Sequence, residues 1–158
     1  MTPILPPTPI PTDAKRPWVF LAGAIDQGRA EPWQDVVFQY LQDRPGTVLN
    51  PRRAAWDATW RQDLEDPRFA EQVTWELDAL EAADAILCWL PAGSQAPISL
   101  LELGLHARRG RLVVGCPPGF HRHGNVDAVC RRWNIPMAAS LQEALQLLDD
   151  LLALQGPR

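Results

Sequence analysis

The chain has little to hold a redox framework or a metal. Cys88, Cys116 and Cys130 are its only cysteines, odd in number and irregularly spaced. That pattern excludes a disulfide scaffold and a zinc site and fits a reducing cytoplasm. Cys88 and Cys116 fall in apolar runs, where a free thiol packs as a small hydrophobe. No apolar stretch approaches the ~20 residues of a membrane span. The first eleven residues lack the basic start and apolar core of a secretory leader, and their prolines exclude a helix. Positive charge is not in excess either. Fifteen Lys and Arg against nineteen Asp and Glu leave a net charge of −4, so no global field draws the chain to nucleic acid. The clusters Arg52-Arg53, Arg108-Arg109 and Arg131-Arg132 read as solvated faces or helix ends. A GxGxxG turn, a glycine-lysine phosphate loop and internal repeats are all missing, which removes support for dinucleotide or nucleoside-triphosphate chemistry.

What is present is a regular alternation. Residues 1–15 read as an extended, proline-rich arm, and 16–158 as one domain of a size that buries a substantial core. Apolar runs at 17–23, 46–50, 84–90, 111–116 and, more weakly, 135–139 predict strands. Helical patterns fall at 31–41, 69–82, 98–109, 125–133 and 140–154. Ser140 with Glu143 forms a capping box for the last of these. The strand runs are continuous rather than alternating, as in a parallel sheet covered on both faces. The expectation is a single α/β domain: a doubly wound, mostly parallel five-stranded sheet in a flavodoxin-like or Rossmann-like order. Residues 51–68 make a long insertion for such a connection, and long insertions are often functional. Seven tryptophans are many for this length. Most read as core rings with the indole N–H satisfied at an edge, and one or two as walls for a flat ligand.

Glu102 stands out, because an acid inside the apolar run 97–108 is expensive to bury unpaired. In the first turn of a helix after a parallel strand it would stand where open α/β sheets bind ligands. The plainer alternative is a structural first-turn acid favoured by the helix dipole. Asp26, at the end of the first strand, shares that rim, and Asp57 in the insertion can fold over it. Glu76 lies on the polar side of its helix, where solvent exposure is the ordinary fate. Two carboxylates in one pocket can divide the roles of nucleophile and acid. Asp84 reads as a turn or capping acid.

The blocks Phe20-Leu-Ala-Gly-Ala-Ile-Asp26, Trp75-Glu-Leu-Asp-Ala-Leu-Glu-Ala-Ala-Asp84 and Leu101-Glu-Leu-Gly104, in this order and spacing, resemble the nucleoside 2-deoxyribosyltransferases and their relatives, which include 2′-deoxynucleoside 5′-phosphate N-hydrolases. The resemblance spans about residues 17–138. It implies that Glu102 attacks C1′ of a glycosyl group, and that a second base or water then takes the sugar with net retention. Glu76 matches a position that touches the base and assists its departure. Asn125 matches a position that holds the sugar or phosphate end, in some members from a neighbouring subunit, which implies a homodimer. Phe20, Gly23 and Asp26 fall where the family borders the pocket. The implied partner is a small-molecule nucleoside or nucleotide, with no cofactor, metal, nucleic acid or membrane.

Two departures stand beside the resemblance. Phe20 replaces a tyrosine whose hydroxyl orients the nucleophile. Ala96 replaces an acid or serine that binds the sugar or phosphate; Ser99 partly stands in. Trp56, Asp57 and Trp60 can rebuild the pocket from the insertion. These losses keep open a catalytically weak binding or sensing module of the same fold. A pure interaction domain docking through the Trp-rich insertion is the third reading, and the retained Glu102 argues against it.

Overall fold

A computed structural model describes residues 1–25, 32–53 and 59–155. In chain order the elements are β1 (Thr2–Ile4), β2 (Trp18–Gly23), α1 (Trp33–Leu41), β3 (Thr47–Leu49), α2 (Pro67–Ala82), β4 (Ala85–Trp89), α3 (Pro97–His106), β5 (Leu112–Gly115), α4 (His123–Trp133), β6 (Met137–Ala138) and α5 (Leu141–Gln155). A single 3₁₀ turn, Ala107–Arg109, follows α3. The strands form one parallel sheet in the order β1-β3-β2-β4-β5-β6. Leaving β1 aside, the other five follow the flavodoxin-like order, so the topological switch point lies between β2 and β4.

The sheet therefore has six strands among the described residues, not the expected five. The extra one, β1, comes from the proline-rich arm and pairs with β3 through Thr2 N–H to Gly46 O (2.9 Å) and Asn50 N–H to Ile4 O (3.0 Å). Pro3 between them has no N–H to lose, which is tolerable only on an edge strand.

Burial on both faces follows from the two-residue period of the strands. Val19, Leu21, Ala85, Leu87 and Val113 pack with Trp33, Val37, Leu145 and Leu148 of α1 and α5. Phe20, Ala22, Ile86, Cys88 and Val114 point the other way, against Trp75, Leu80, Leu103 and Val126 of α2, α3 and α4. The indole N–H groups find carbonyls at the edges, Trp33 to Ala24 O (2.9 Å) and Trp75 to Thr8 O (2.8 Å). Asp84 acts as a turn acid, accepting from the Trp18 N–H at 2.8 Å and from Arg16 at 2.5 Å. Glu143 N–H donates to Ser140 Oγ at 3.2 Å, the hydrogen bond of a capping box. No helix among the described residues is long and apolar enough to cross a membrane.

At the switch point the backbones come unusually close. Gly23 ends β2 at φ 153°, and a Cβ there would lie 2.5 Å from the Trp89 carbonyl oxygen and 2.7 Å from a Trp33 ring carbon. Only glycine fits. That closeness brings the carboxyl ends of β2 and β4 together at the rim where a ligand would sit.

Candidate active site

The helix after β4 carries the acid. Ala96, in the left-handed region at φ 43°, precedes α3, and Pro97 opens it. Ser99, Glu102, Leu103 and His106 are its buried residues, an i, i+3, i+4, i+7 face. Three of these four are polar, where a packing helix would carry aliphatics. Glu102 is the sixth helical residue, so the expected first-turn placement is corrected. The helix starts one residue earlier than the periodicity predicts, because proline is pre-organised for the first position. A dipole effect fades within that first turn and does not account for an acid in the second.

Glu102 is 9% exposed, and no hydrogen bond or ion pair among the described residues holds its carboxylate. Burial, followed by repulsion from Glu76, pushes its carboxyl up to about 8. The thiol of Cys88 on β4 is raised by its own burial and then by the charge of Glu102. Glu76 is half-buried, so the expectation of a solvated helix acid is corrected. The backbone at Pro51 and the side chain of Gln72 meet beside it: Gln72 Nε2 donates to Pro51 O (2.9 Å) and to Glu76 Oε1 (2.8 Å). Burial raises the Glu76 carboxyl and the Gln72 hydrogen bond opposes the rise. Two carboxyl groups, buried and repelling, form a pair that sheds its first proton more readily than its second. Such a pair can offer one carboxylate and one acid at the same time.

The other expected residues divide. Ser99 is buried on the same face of α3, one turn before Glu102. Phe20 is wholly buried in the core on β2, on the sheet face that α3 covers, with no surface left for a ligand. Gly23 is accounted for by strand packing. Asn125 is exposed and is the third residue of α4, whose N-cap is Arg122, so it does not cap the helix. The chain enters that helix through a turn closed by His123 N–H to Phe120 O (3.0 Å), two residues before the expected start. Asp26, Trp56 and Asp57 lie outside the described residues. Trp60 is buried between the guanidinium groups of Arg53 and Arg68, 5.1 and 5.4 Å from its ring centroid. The loop after β5 leans on the loop after β4 through His121 Nδ1 and Ser94 O at 3.2 Å.

Gln72 is the site residue that the sequence pattern does not single out. Its signal is spacing: it stands four residues before Glu76, on the same helix face. An open cleft lined by Arg16, Asp84, Arg109 and Arg111 lies at the amino ends of the strands, the opposite edge of the sheet from Glu102. No group of three or more His, Cys, Asp or Glu side chains is placed to hold a metal among the described residues.

Residues 16–120 match the family described as nucleoside 2-deoxyribosyltransferase like. Glu76 and Glu102 lie within the matched span and Asn125 beyond it. Among solved structures the chain is similar to Clostridium botulinum CMP N-glycosidase, BcmB, at 17% identity and a TM-score of 0.49, over 85% of this chain and 99% of that one. A likeness so slight says nothing about activity or substrate. No curated protein matches the sequence.

Proposed function

From the premise that this chain belongs to the nucleoside 2-deoxyribosyltransferase-like family, we propose that it cleaves or exchanges the N-glycosidic bond of a (deoxy)nucleoside or nucleotide. The observation that carries this reading is Glu102, a buried carboxyl group that no hydrogen bond or ion pair holds among the described residues and that the acid Glu76 repels. An oxygen of Glu102 bonds to C1′ as the C1′–N bond breaks, and the bonding pair leaves with the base. Glu76 gives its proton to the departing base. Water or a second base then attacks C1′, Glu102 leaves, and Glu76 takes a proton back. Two displacements at one carbon retain its configuration. Ser99 and Asn125 are the candidates to hold the sugar or its 5′ substituent.

A second reading has one specific observation in its favour. Phe20 is buried and has no hydroxyl to orient Glu102, which suits a module that binds a nucleotide without turning it over. One experiment separates the readings. The protein is incubated with deoxynucleosides, ribonucleosides and their 5′-phosphates, with and without a free acceptor base. Exchanged nucleoside marks a transferase and free base without exchange a hydrolase. A raised melting temperature without products marks a sensor. Neither product nor thermal shift from any compound refutes both.

The pairing of subunits is part of the same proposal. Ile98, Leu101 and Leu105 are 60%, 60% and 55% exposed along the outer face of α3, an apolar stripe that a second copy would cover. The expectation is a dimer on sizing with light scattering, converted to monomer by Leu101→Asp. A wild-type monomer, or an intact dimer in the variant, removes this interface.

A further inference from the structure

We propose that the open cleft at the amino ends of the strands binds a phosphate dianion, free or carried on a small sugar; the inference is independent of the glycosidic reading above. The cleft holds about 580 Å³, within the range of small-molecule sites. The sheet register builds it. Arg16 stands two residues before β2, Asp84 one before β4 and Arg111 one before β5, and the parallel pairing brings these positions to one edge. Arg109 and Gly110, at the end of the turn after α3, complete the wall.

Three guanidinium groups line this cleft against one carboxylate. Asp84 is already satisfied: one oxygen accepts from Arg16 Nη1 at 2.5 Å and the other from the Trp18 N–H at 2.8 Å. Arg109 Nη1 donates to Glu81 at 2.5 Å. Arg16 and Arg109 therefore each use a single nitrogen, and their remaining N–H groups make no hydrogen bond among the described residues. Their side chains are 38% and 43% exposed, so a ligand entering from solvent reaches both. The Trp18 ring backs the Arg16 guanidinium at 4.3 Å and holds it in place. Arg111 forms no ion pair among the described residues. It donates to Ala83 O (2.7 Å) and Leu80 O (3.2 Å), which fixes its guanidinium and offsets the negative end of α2. Burial, followed by repulsion from Arg109, lowers that guanidinium below its usual range. With Glu81 counted, three positive charges meet two negative ones, in a chain whose net charge is −4.

The ligand class follows from the donors. Guanidinium forks match tetrahedral oxyanions, and a phosphate group approaches two negative charges above its second pKa of about 6. Beyond the charged residues the lining is alanine and glycine, with no aromatic ring to stack a base. A phosphate or a sugar phosphate fits such walls, and a nucleobase has nothing to lie against.

The test is calorimetric titration of the full chain with inorganic phosphate, ribose 5-phosphate and ribose at fixed ionic strength and a pH of about 7.5. Both anions are expected to bind and ribose is not. The tighter anion identifies the source as the free ion or the sugar ester. Arg109→Gln removes only a surface ion pair from the fold, and is expected to weaken binding about tenfold, the scale of one charge-assisted hydrogen bond. Arg16→Gln is expected to do the same. Ser99→Ala at the opposite rim and Arg61→Gln beyond the other end of α2 are expected to change nothing. Absence of binding by either anion overturns the inference. Binding that survives both Arg109→Gln and Arg16→Gln, or that Ser99→Ala abolishes, places the anion elsewhere and overturns it. Equal weakening by Arg61→Gln marks a general attraction for anions and overturns it as well.

Discussion

Replacing Glu102 with alanine is expected to abolish turnover while leaving the folded protein intact. The loss of kcat should be on the order of 10³-fold or more, as for removal of a covalent nucleophile. Stability should hardly suffer. The carboxyl group is buried, it accepts no hydrogen bond among the described residues, and it is repelled by Glu76. Deleting it costs some packing, because the Cγ methylene and the carboxyl group leave a void. It also removes a polar group whose burial nothing offsets. These two effects oppose each other, so at about pH 4, where the carboxyl is largely neutral in both states, the melting temperature should move by only a few degrees. Glu102→Gln separates shape from chemistry, since it fills the same space and cannot attack C1′. If that isosteric variant melted ten degrees lower, Glu102 would be a structural residue and the proposed chemistry would fail. If either variant kept wild-type kcat, the nucleophile would lie elsewhere.

The parts of the fold that are legible in the sequence owe this to double burial. A parallel strand between two helical layers needs apolar residues on both faces, and the runs around Phe20, Leu87 and Val113 are continuous for that reason. The first strand is hidden. Thr2-Pro-Ile4 contains proline, and only its position at the sheet edge, where no further strand asks for the missing Pro3 N–H, makes it a strand. No local pattern announces an edge. Glu102 is visible because an acid in an apolar run contradicts its surroundings, but its depth along α3 depends on where the helix begins. Glu76 is misplaced by its pattern for a different reason. Periodicity puts it on a polar side, but the amide of Gln72, itself tied to the chain at Pro51, holds it in a half-buried place. Burial by a segment distant in sequence leaves no trace in periodicity. The same limit hides Gln72 itself, an ordinary helix residue until Pro51 fixes the direction of its amide.

Raising the pH from 5 to 9 is expected to weaken the fold progressively. Glu102 titrates near 8 in the folded protein against about 4.5 when exposed. Below pH 4.5 both states hold the proton and the fold has its full stability. Between 4.5 and 8 the unfolded chain has lost a proton that the folded protein keeps, so stability falls as pH rises. The fall is complete once pH passes the folded value. At 1.36 kcal/mol per pH unit, it amounts to something on the order of 5 kcal/mol. Glu76, raised in the same direction by its burial, adds to the slope. Wild type should therefore melt progressively lower across this range, and Glu102→Gln should lose most of the dependence. A flat wild-type profile, or an unchanged slope in the variant, would remove the buried-acid premise. Activity follows a different course. Attack on C1′ needs Glu102 as the carboxylate and departure of the base needs a proton on Glu76, so the working form of the pair holds one proton and kcat/KM should rise and then fall as pH is raised. The two limbs belong to the coupled pair rather than to either residue. Because one burial both raises the Glu102 carboxyl and erodes the fold when that carboxyl ionises, a substitution that relieves it should stabilise the protein at pH 8 and move the limbs of the activity profile to lower pH. That linked change is what a buried nucleophile entails and a solvated acid would not produce.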